Sequence, residues 1–490
     1  MLLLTVPKAT VPRTAAQHQN VAERALERLQ RRTWPLLFTA VFFCLGMLYF
    51  FRWGPVVQHV PSLWESPNDL WGSYAAASAY SHGHFNSVYS IKTGFLALPG
   101  LLILLAPIAL LGGYLHTTLI EIGTRHHYIA HPQTFVAAGV VTRQYKVLQS
   151  GKNLYVLHSQ VFQWLGPYEI LLACVALFAC DALAERLEVA FRRRAVLGLA
   201  EAVVLWNVAV TWGHPEDALA VALAVYALIF AIDGRFTGVG WLFGAALAVQ
   251  PLVIVIFPIL LAKAGKKRAF GLVLRGLVPA AVVTLPPLAL AFHTTIHALT
   301  QQPTFPHIDH ATPWTTLAPK LGGTGTNFAV GGGPTRVVSL LLAGALGWWA
   351  LRWRSRPEML MWAAALALAL RCYTESVMTA YYIWPALAVA LVVAARGSQR
   401  RFAVVVVLAV VTTVVAQWRL GELPWWAIDV AGMSAVLIVA ARPDGLSPDA
   451  PQVEAARFRG SGPQRPTRSA ASKTQRNRKK KKKAAARARR

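Results

Sequence analysis

Acid is scarce in this chain: 21 Asp and Glu stand against 48 Lys and Arg in 490 residues. Charged residues of both signs make up only 14% and hydrophobic residues 55%, a balance that excludes an ordinary soluble domain and points to a polytopic membrane protein. Cysteine is equally sparse. Cys44, Cys174, Cys180 and Cys372 are scattered through apolar sequence without ligand spacing, so they read as small buried hydrophobes and exclude a disulfide framework or a thiolate metal site. Strands alternating as in a membrane barrel are not evident. The triplet Gly331-Gly332-Gly333 lacks the helix and lysine context of a phosphate-binding loop. A cleavable leader is missing too: the first apolar run follows Arg24, Arg28, Arg31 and Arg32 with no small-residue cleavage site, which predicts a retained helix with a cytoplasmic N-terminus.

What the chain does have is long apolar runs. They lie near residues 34–52, 92–115, 167–183, 195–212, 216–232, 237–262, 271–292, 336–351, 358–370, 378–395, 402–417 and 425–441. Since about 20 apolar residues cross about 30 Å of hydrocarbon, the expectation is an all-α polytopic membrane protein of roughly ten to thirteen spanning or re-entrant helices. The net charge of +27 resembles a nucleic-acid signal only until it is located. Residues 442–490 hold 16 basic and 3 acidic residues, 16 − 3 = +13, and much of the rest lies in short loops, the positive-inside pattern. Nucleic acid is not needed to explain it.

The division expected is a cytoplasmic segment 1–33, a membrane domain 34–441 and a disordered polybasic tail 442–490, ending in Lys479 to Lys483 and attracted to anionic lipid. Basic or hairpin-like loops at 183–194, 233–236, 263–268, 352–356 and 396–401 all fall on the cytoplasmic side if 237–262 enters and returns as two half-helices, with Gln250-Pro251 at the turn. The first outer loop is then 53–91 and the long outer loop 293–335, with further outer turns at 213–217, 371–376 and 417–426. This arrangement requires residues 92–166 to cross an even number of times, although one apolar run alone is evident there. Either the segment with Pro99 and Pro107 is re-entrant, or something in 116–166 crosses or dips. Residues 116–166 read as a polar insertion.

The candidate chemistry sits in the outer segments. Ser66 as N-cap and Pro67 at the first helical position predict a helix over about 67–82, lying on the membrane surface with Trp71, Tyr74, Ala75 and Ser78 on one face. Asp69, in its first turn, is the candidate catalytic base; the competing reading is that it complements the helix dipole. Gly213-His214-Pro215-Glu216-Asp217 packs three ionisable side chains into a turn at the membrane boundary, where acids are costly unless paired or functional. Capping explains Glu216 and Asp217 as well as a site does; it does not require His214. In the long loop, His307, His310, Trp314 and Lys320 are candidates to bind sugar hydroxyls and a sugar face. His307, Asp309 and His310 lack a further ligand at defined spacing, so no metal is expected, and no cofactor. Arg371 interrupts two apolar runs and needs an anion, either a lipid phosphate or Glu375 one turn on. Glu201, Asn207 and Asp181 read as interhelical hydrogen-bonding groups.

In order along the chain, Asp69, Tyr74, His82-Gly83-His84, Tyr89, Pro99 and Pro107, then Gly213 to Asp217, Gly244 and Gln250-Pro251, resemble the GT-C superfamily of membrane glycosyltransferases. Within it the pattern is similar to bacterial glycosyltransferase family 87, the polyprenol-phosphate-mannose dependent mannosyltransferases. The match covers about residues 34–440 through short motifs. The insertion at 116–166 and the basic tail depart from it.

The resemblance implies a GT-C-like bundle and transfer of a sugar, mannose first, from a polyprenyl-phosphate donor to a lipid or cell-envelope glycan acceptor on the outer face of the cell membrane. It implies inversion at the anomeric carbon with Asp69 as general base. Tyr74, His82, His84, Tyr89, His214, Glu216, Asp217 and Glu375 would join the loop residues and Arg371 in binding substrate. A transporter or flippase and a noncatalytic scaffold remain alternatives from other classes.

Overall fold

The computed structural model describes residues 31–53, 68–90, 95, 97–111, 117–123, 129–137, 140–148, 154–300, 303–304, 310–319, 329–330, 334–418 and 420–441. The chain is an all-α polytopic membrane protein. Six of its helices are long and apolar enough to cross a membrane, and five more are shorter and apolar, which makes 6 + 5 = 11 apolar helices among the described residues.

In chain order the helices are α1 (Thr33–Trp53), α2 (Asn68–Ser81), α3 (Gly100–Leu111), α4 (Gln160–Arg186), α5 (Phe191–Trp206), α6 (Pro215–Ile232), α7 (Phe236–Val249) and α8 (Phe257–Ala264). They continue as α9 (Lys266–Leu290), α10 (Phe292–Thr300), α11 (Pro334–Ala350), α12 (Pro357–Thr374), α13 (Trp384–Ala395), α14 (Gln399–Val415) and α15 (Glu422–Ala441). Composition sets their depth. The α13 sequence WPALAVALVVAA is apolar all round, so every one of its residues is buried at the centre of the bundle. At the periphery α9 is the least buried span, with Phe270 80% exposed and Leu274, Leu277 and Leu285 beside it on the outside, an apolar surface suited to lipid.

The basic loops gather at one end of the bundle through specific bonds. Asp181 accepts from Arg194 at 2.8 and 2.6 Å and from Arg32 at 2.7 Å, which ties the start of α1 to the α4–α5 turn. Arg186 donates to Asp233 at 2.6 Å, Arg193 to the Gly397 carbonyl at 2.6 Å, and Lys263 to the Arg354 carbonyl at 2.6 Å.

Residues 237–262 do not form one span. Helix α7 stops at Gln250, whose backbone is extended at φ −147°, ψ 115°, and the chain resumes as a 3-10 turn over Pro251–Ile256 before α8. Pro251 has no N–H to continue the α7 ladder, which fixes the break there. Proline acts again in α9. Pro279 leaves the Arg275 carbonyl without a helical donor, and Gly244 of α7 packs so close that a Cβ there would lie 2.7 Å from that oxygen. Pro287 likewise frees the Val283 carbonyl, and the Tyr80 hydroxyl of α2 donates to it at 3.0 Å.

The helix expected over 67–82 is α2. Residues 73–79 are all buried against protein, and α2 packs against α3 around Leu70, Tyr74, Val88, Tyr89, Leu101 and Leu105. Its face is Ala-rich (Ala75, Ala76, Ala77, Ala79), which lets a second helix approach closely. The described part of α3 has 12 residues and rises about 18 Å at 1.5 Å per residue, with Pro107 inside it.

The connections also contain strands. The insertion at 116–166 contains strands, which the sequence reading did not anticipate: β1 (Thr117–Gly123) pairs antiparallel with β4 (Leu154–Ser159), and β2 (Ile129–Ala137) with β3 (Val140–Leu148). Val140, Val141, Thr142, Tyr145 and Val147 are strand-favouring residues after a two-residue link, Ala138-Gly139, a hairpin signal weaker than that of an apolar span. A third, short pair joins β5 (Pro303–Thr304) to β6 (Ala329–Val330) inside the long loop.

Candidate functional site

The end of the bundle opposite the basic loops is built from four chain breaks. After α5 the backbone widens into a π-turn over Asn207–Thr211, a deviation that recurs at functional sites. Gly213 then adopts φ +65°, a left-handed conformation that costs glycine nothing. The chain reverses there, and α6 starts with Pro215 at its first position and Glu216 and Asp217 in its first turn.

These acids do not cap their own helix with their side chains. Glu216 Oε1 lies 2.7 Å from His214 Nδ1, and the imidazole stacks on Tyr381 at a centroid distance of 4.2 Å. Asp217 Oδ1 accepts from Gln250 Nε2 at 2.6 Å. The break at Gln250 thus brings an amide from one half-helix to a carboxylate on another.

The third break is the end of α12. Arg371 Nε donates to Glu375 Oε2 at 3.0 Å, and its guanidinium lies 3.2 Å from the Tyr382 ring centroid. That is the internal pair anticipated from the spacing of four. Two further groups join it: Arg336 Nε is 3.7 Å from Glu375 Oε1, and Asp217 lies within electrostatic reach of Arg371. The two pairs therefore form one polar centre, in which Glu216, Asp217 and Glu375 are 7%, 2% and 8% exposed.

The fourth element is the loop over 310–319, held against the segment that follows α12. His310 has φ +43°, its carbonyl accepts from Met378 N at 3.1 Å, and its ring stacks on Trp425 at 4.0 Å. Thr312 Oγ1 donates to the Glu375 carbonyl at 2.7 Å, and Trp314 Nε1 to the Tyr373 carbonyl at 2.6 Å. Positive φ is uncommon for a residue with a Cβ and marks a backbone held by its surroundings.

Of the residues singled out from sequence, His214, Glu216, Asp217, Arg371 and Glu375 come together here, with His310 and Trp314 joined through the residues after Arg371. Tyr74, His82, His84 and Tyr89 belong to the α2–α3 hairpin. There the Tyr89 hydroxyl donates to the Ala97 carbonyl at 2.9 Å, and His82 Nδ1 lies 2.8 Å from the Ser78 carbonyl. Burial pushes the Tyr74 phenol up to about 12 and raises that of Tyr89, which the nearby Tyr80 raises further; both stay neutral hydrogen-bonding groups at physiological pH. Asp69 is the second residue of α2, and its side chain lies outside the described residues, as do His307, Asp309 and Lys320. Among the described residues no group of three or more His, Cys, Asp or Glu is placed to hold a metal ion.

Sequence reasoning missed Gln250, Arg336, Tyr381 and Tyr382 as members of the centre. The Gln250-Pro251 break was the available signal for the first. It also assigned Glu169 to an apolar run without comment, although that carboxylate is 0% exposed within electrostatic reach of Glu216 and His214. The chain matches no family model, no curated protein and no solved structure.

Proposed function

We propose that this chain is a multi-pass glycosyltransferase of the cell membrane that moves a sugar, mannose first, from a polyprenyl-phosphate donor to a lipid or envelope-glycan acceptor. The observation that carries the reading is the convergence of Gln250–Asp217, His214–Glu216 and Arg371–Glu375 beneath the 310–319 loop. Charged and amide groups that bind hydroxyls stand there beside guanidiniums that suit a phosphate, at the helix ends where a lipid-borne donor arrives. The resemblance to the family-87 transferases supplies the donor class and the role of Asp69.

In that reaction the acceptor oxygen attacks the anomeric carbon and forms the new C–O bond. The bond from that carbon to the phosphate oxygen breaks, its electron pair leaving with the lipid phosphate, while the hydroxyl proton passes to the Asp69 carboxylate. A positioned base contributes about 10² to 10⁴-fold; positioning and charge stabilisation by groups such as Arg371 supply the rest. The termini would face the cytoplasm, with the basic tail on anionic lipid at about 1 kcal/mol per well-placed residue.

The test is transfer by purified protein in lipid, with polyprenyl-phosphate mannose and membrane acceptors. Turnover that depends on Asp69 and Asp217 supports the reading; no turnover with any lipid-linked sugar removes it. A second reading, a proton-coupled transporter, is favoured by one observation, the buried carboxylate of Glu169 inside a span. Substrate-driven proton uptake into sealed vesicles without sugar transfer would select it.

A further inference from the structure

Among the described residues four carboxylates surround the polar centre, and three of them have named partners: Glu216 has His214, Asp217 has Gln250, and Glu375 has Arg371 and Arg336. Glu169 is the fourth. It projects from α4, is 0% exposed, and neither of its oxygens receives a hydrogen bond. The acid without a partner is where an ionised form is worst supported, because a bare buried carboxylate costs far more than a neutral acid.

We propose that Glu169 is a proton-binding site inside the membrane bundle, its carboxyl group held in the neutral form beside the His214–Glu216 pair.

The charged groups facing Glu169 are His214 and Glu216 at the start of α6. Its own helix adds Cys174, which has the Thr39 hydroxyl of α1 beside it. Helices α3 and α13 carry no titratable side chain, and Glu201 and Arg194 of α5 lie by Cys180 and Asp181, toward the other end of α4. Among the described residues, His214 is the cation-forming group that faces Glu169. The proposal stands apart from sugar transfer, since it concerns a proton on one side chain whatever the substrate is.

Infrared spectroscopy of the full-length protein in nanodiscs reads that proton directly. The native chain is expected to show a carboxylic-acid C=O band that shifts in D2O and moves on 13C-labelling of glutamate. Glu169→Gln should remove one component of it, and His214→Phe, which leaves Glu169 in place, should shift that same component. If Glu169→Gln folds, judged by an unchanged elution profile, and the band is untouched, the proposal fails. Should that variant not fold, the His214→Phe shift decides alone: a glutamic-acid band indifferent to His214 overturns the assignment, whether or not the protein transfers sugar.

Discussion

Gln250 and Asp217 are 33 residues apart and belong to different helices, yet the amide of one donates to the carboxylate of the other at 2.6 Å. The bond exists because α7 breaks at Gln250, where a continuous helix would have used that position for packing. Removing the donor leaves a buried acid short of a hydrogen bond, a loss of about 1–3 kcal/mol. Gln250→Ala should lower the apparent melting temperature in detergent, and Gln250→Glu should lower it further by placing a second acid against the first. Equal melting of all three proteins would show that the contact contributes nothing.

Asp69→Asn keeps the size and shape of the side chain at the start of α2 but removes the proton acceptor. Transfer from the lipid-linked donor should fall about 10² to 10⁴-fold with an unchanged elution profile. Retained turnover would leave Asp69 as no more than a first-turn acid complementing its helix.

At Arg371 the guanidinium serves both a carboxylate and an aromatic face, with Glu375 at 3.0 Å and the Tyr382 centroid at 3.2 Å. Lysine cannot supply a planar fork and stack at once. Arg371→Lys should lower kcat for the lipid-linked donor more than it raises KM. Arg371→Met, which leaves Glu375 with only the longer Arg336 contact at 3.7 Å, should cost up to about 3–5 kcal/mol of stability, and adding Glu375→Gln should restore part of it. A double variant no more stable than Arg371→Met would break the link between the two residues.

The Tyr80 hydroxyl on the Val283 carbonyl is one hydrogen bond between the α2–α3 hairpin and α9. Because Pro287 leaves that carbonyl without its helical donor, Tyr80→Phe should cost about 0.5–1.5 kcal/mol, and hydrogen exchange in α2 should quicken. Substituting Pro287 by Ala restores an N–H to the helix and should make the Tyr80→Phe cost smaller.

The Tyr74 phenol sets an alkaline limit. Burial holds it at about 12 in the folded chain against an ordinary value of 10.0, so the unfolded chain loses this proton first as pH rises. Stability from this group is fully present below pH 10, declines between about 10 and 12, and is lost above, at up to about 1.4 kcal/mol per pH unit. Melting curves across that window should flatten in Tyr74→Phe; an identical slope in both proteins would place the alkaline sensitivity elsewhere.

The sequence by itself determined that this is a helical, many-pass membrane protein, because a bilayer core tolerates only segments that satisfy their own backbone, and runs of about 20 apolar residues can be counted directly. It also placed the break at Gln250-Pro251, a local consequence of a missing N–H, and through a spacing of four it offered Glu375 as one of two partners for Arg371. The strands within 116–166 escaped because alternation over so few residues is a faint signal beside a long apolar run. Which acids meet which bases was decided only by tertiary structure. Asp217 finds Gln250, His214 finds Tyr381, and Glu169 finds no hydrogen-bond partner at all, since separate helices carry those groups and their depth and rotation in the bundle leave no mark on the local sequence.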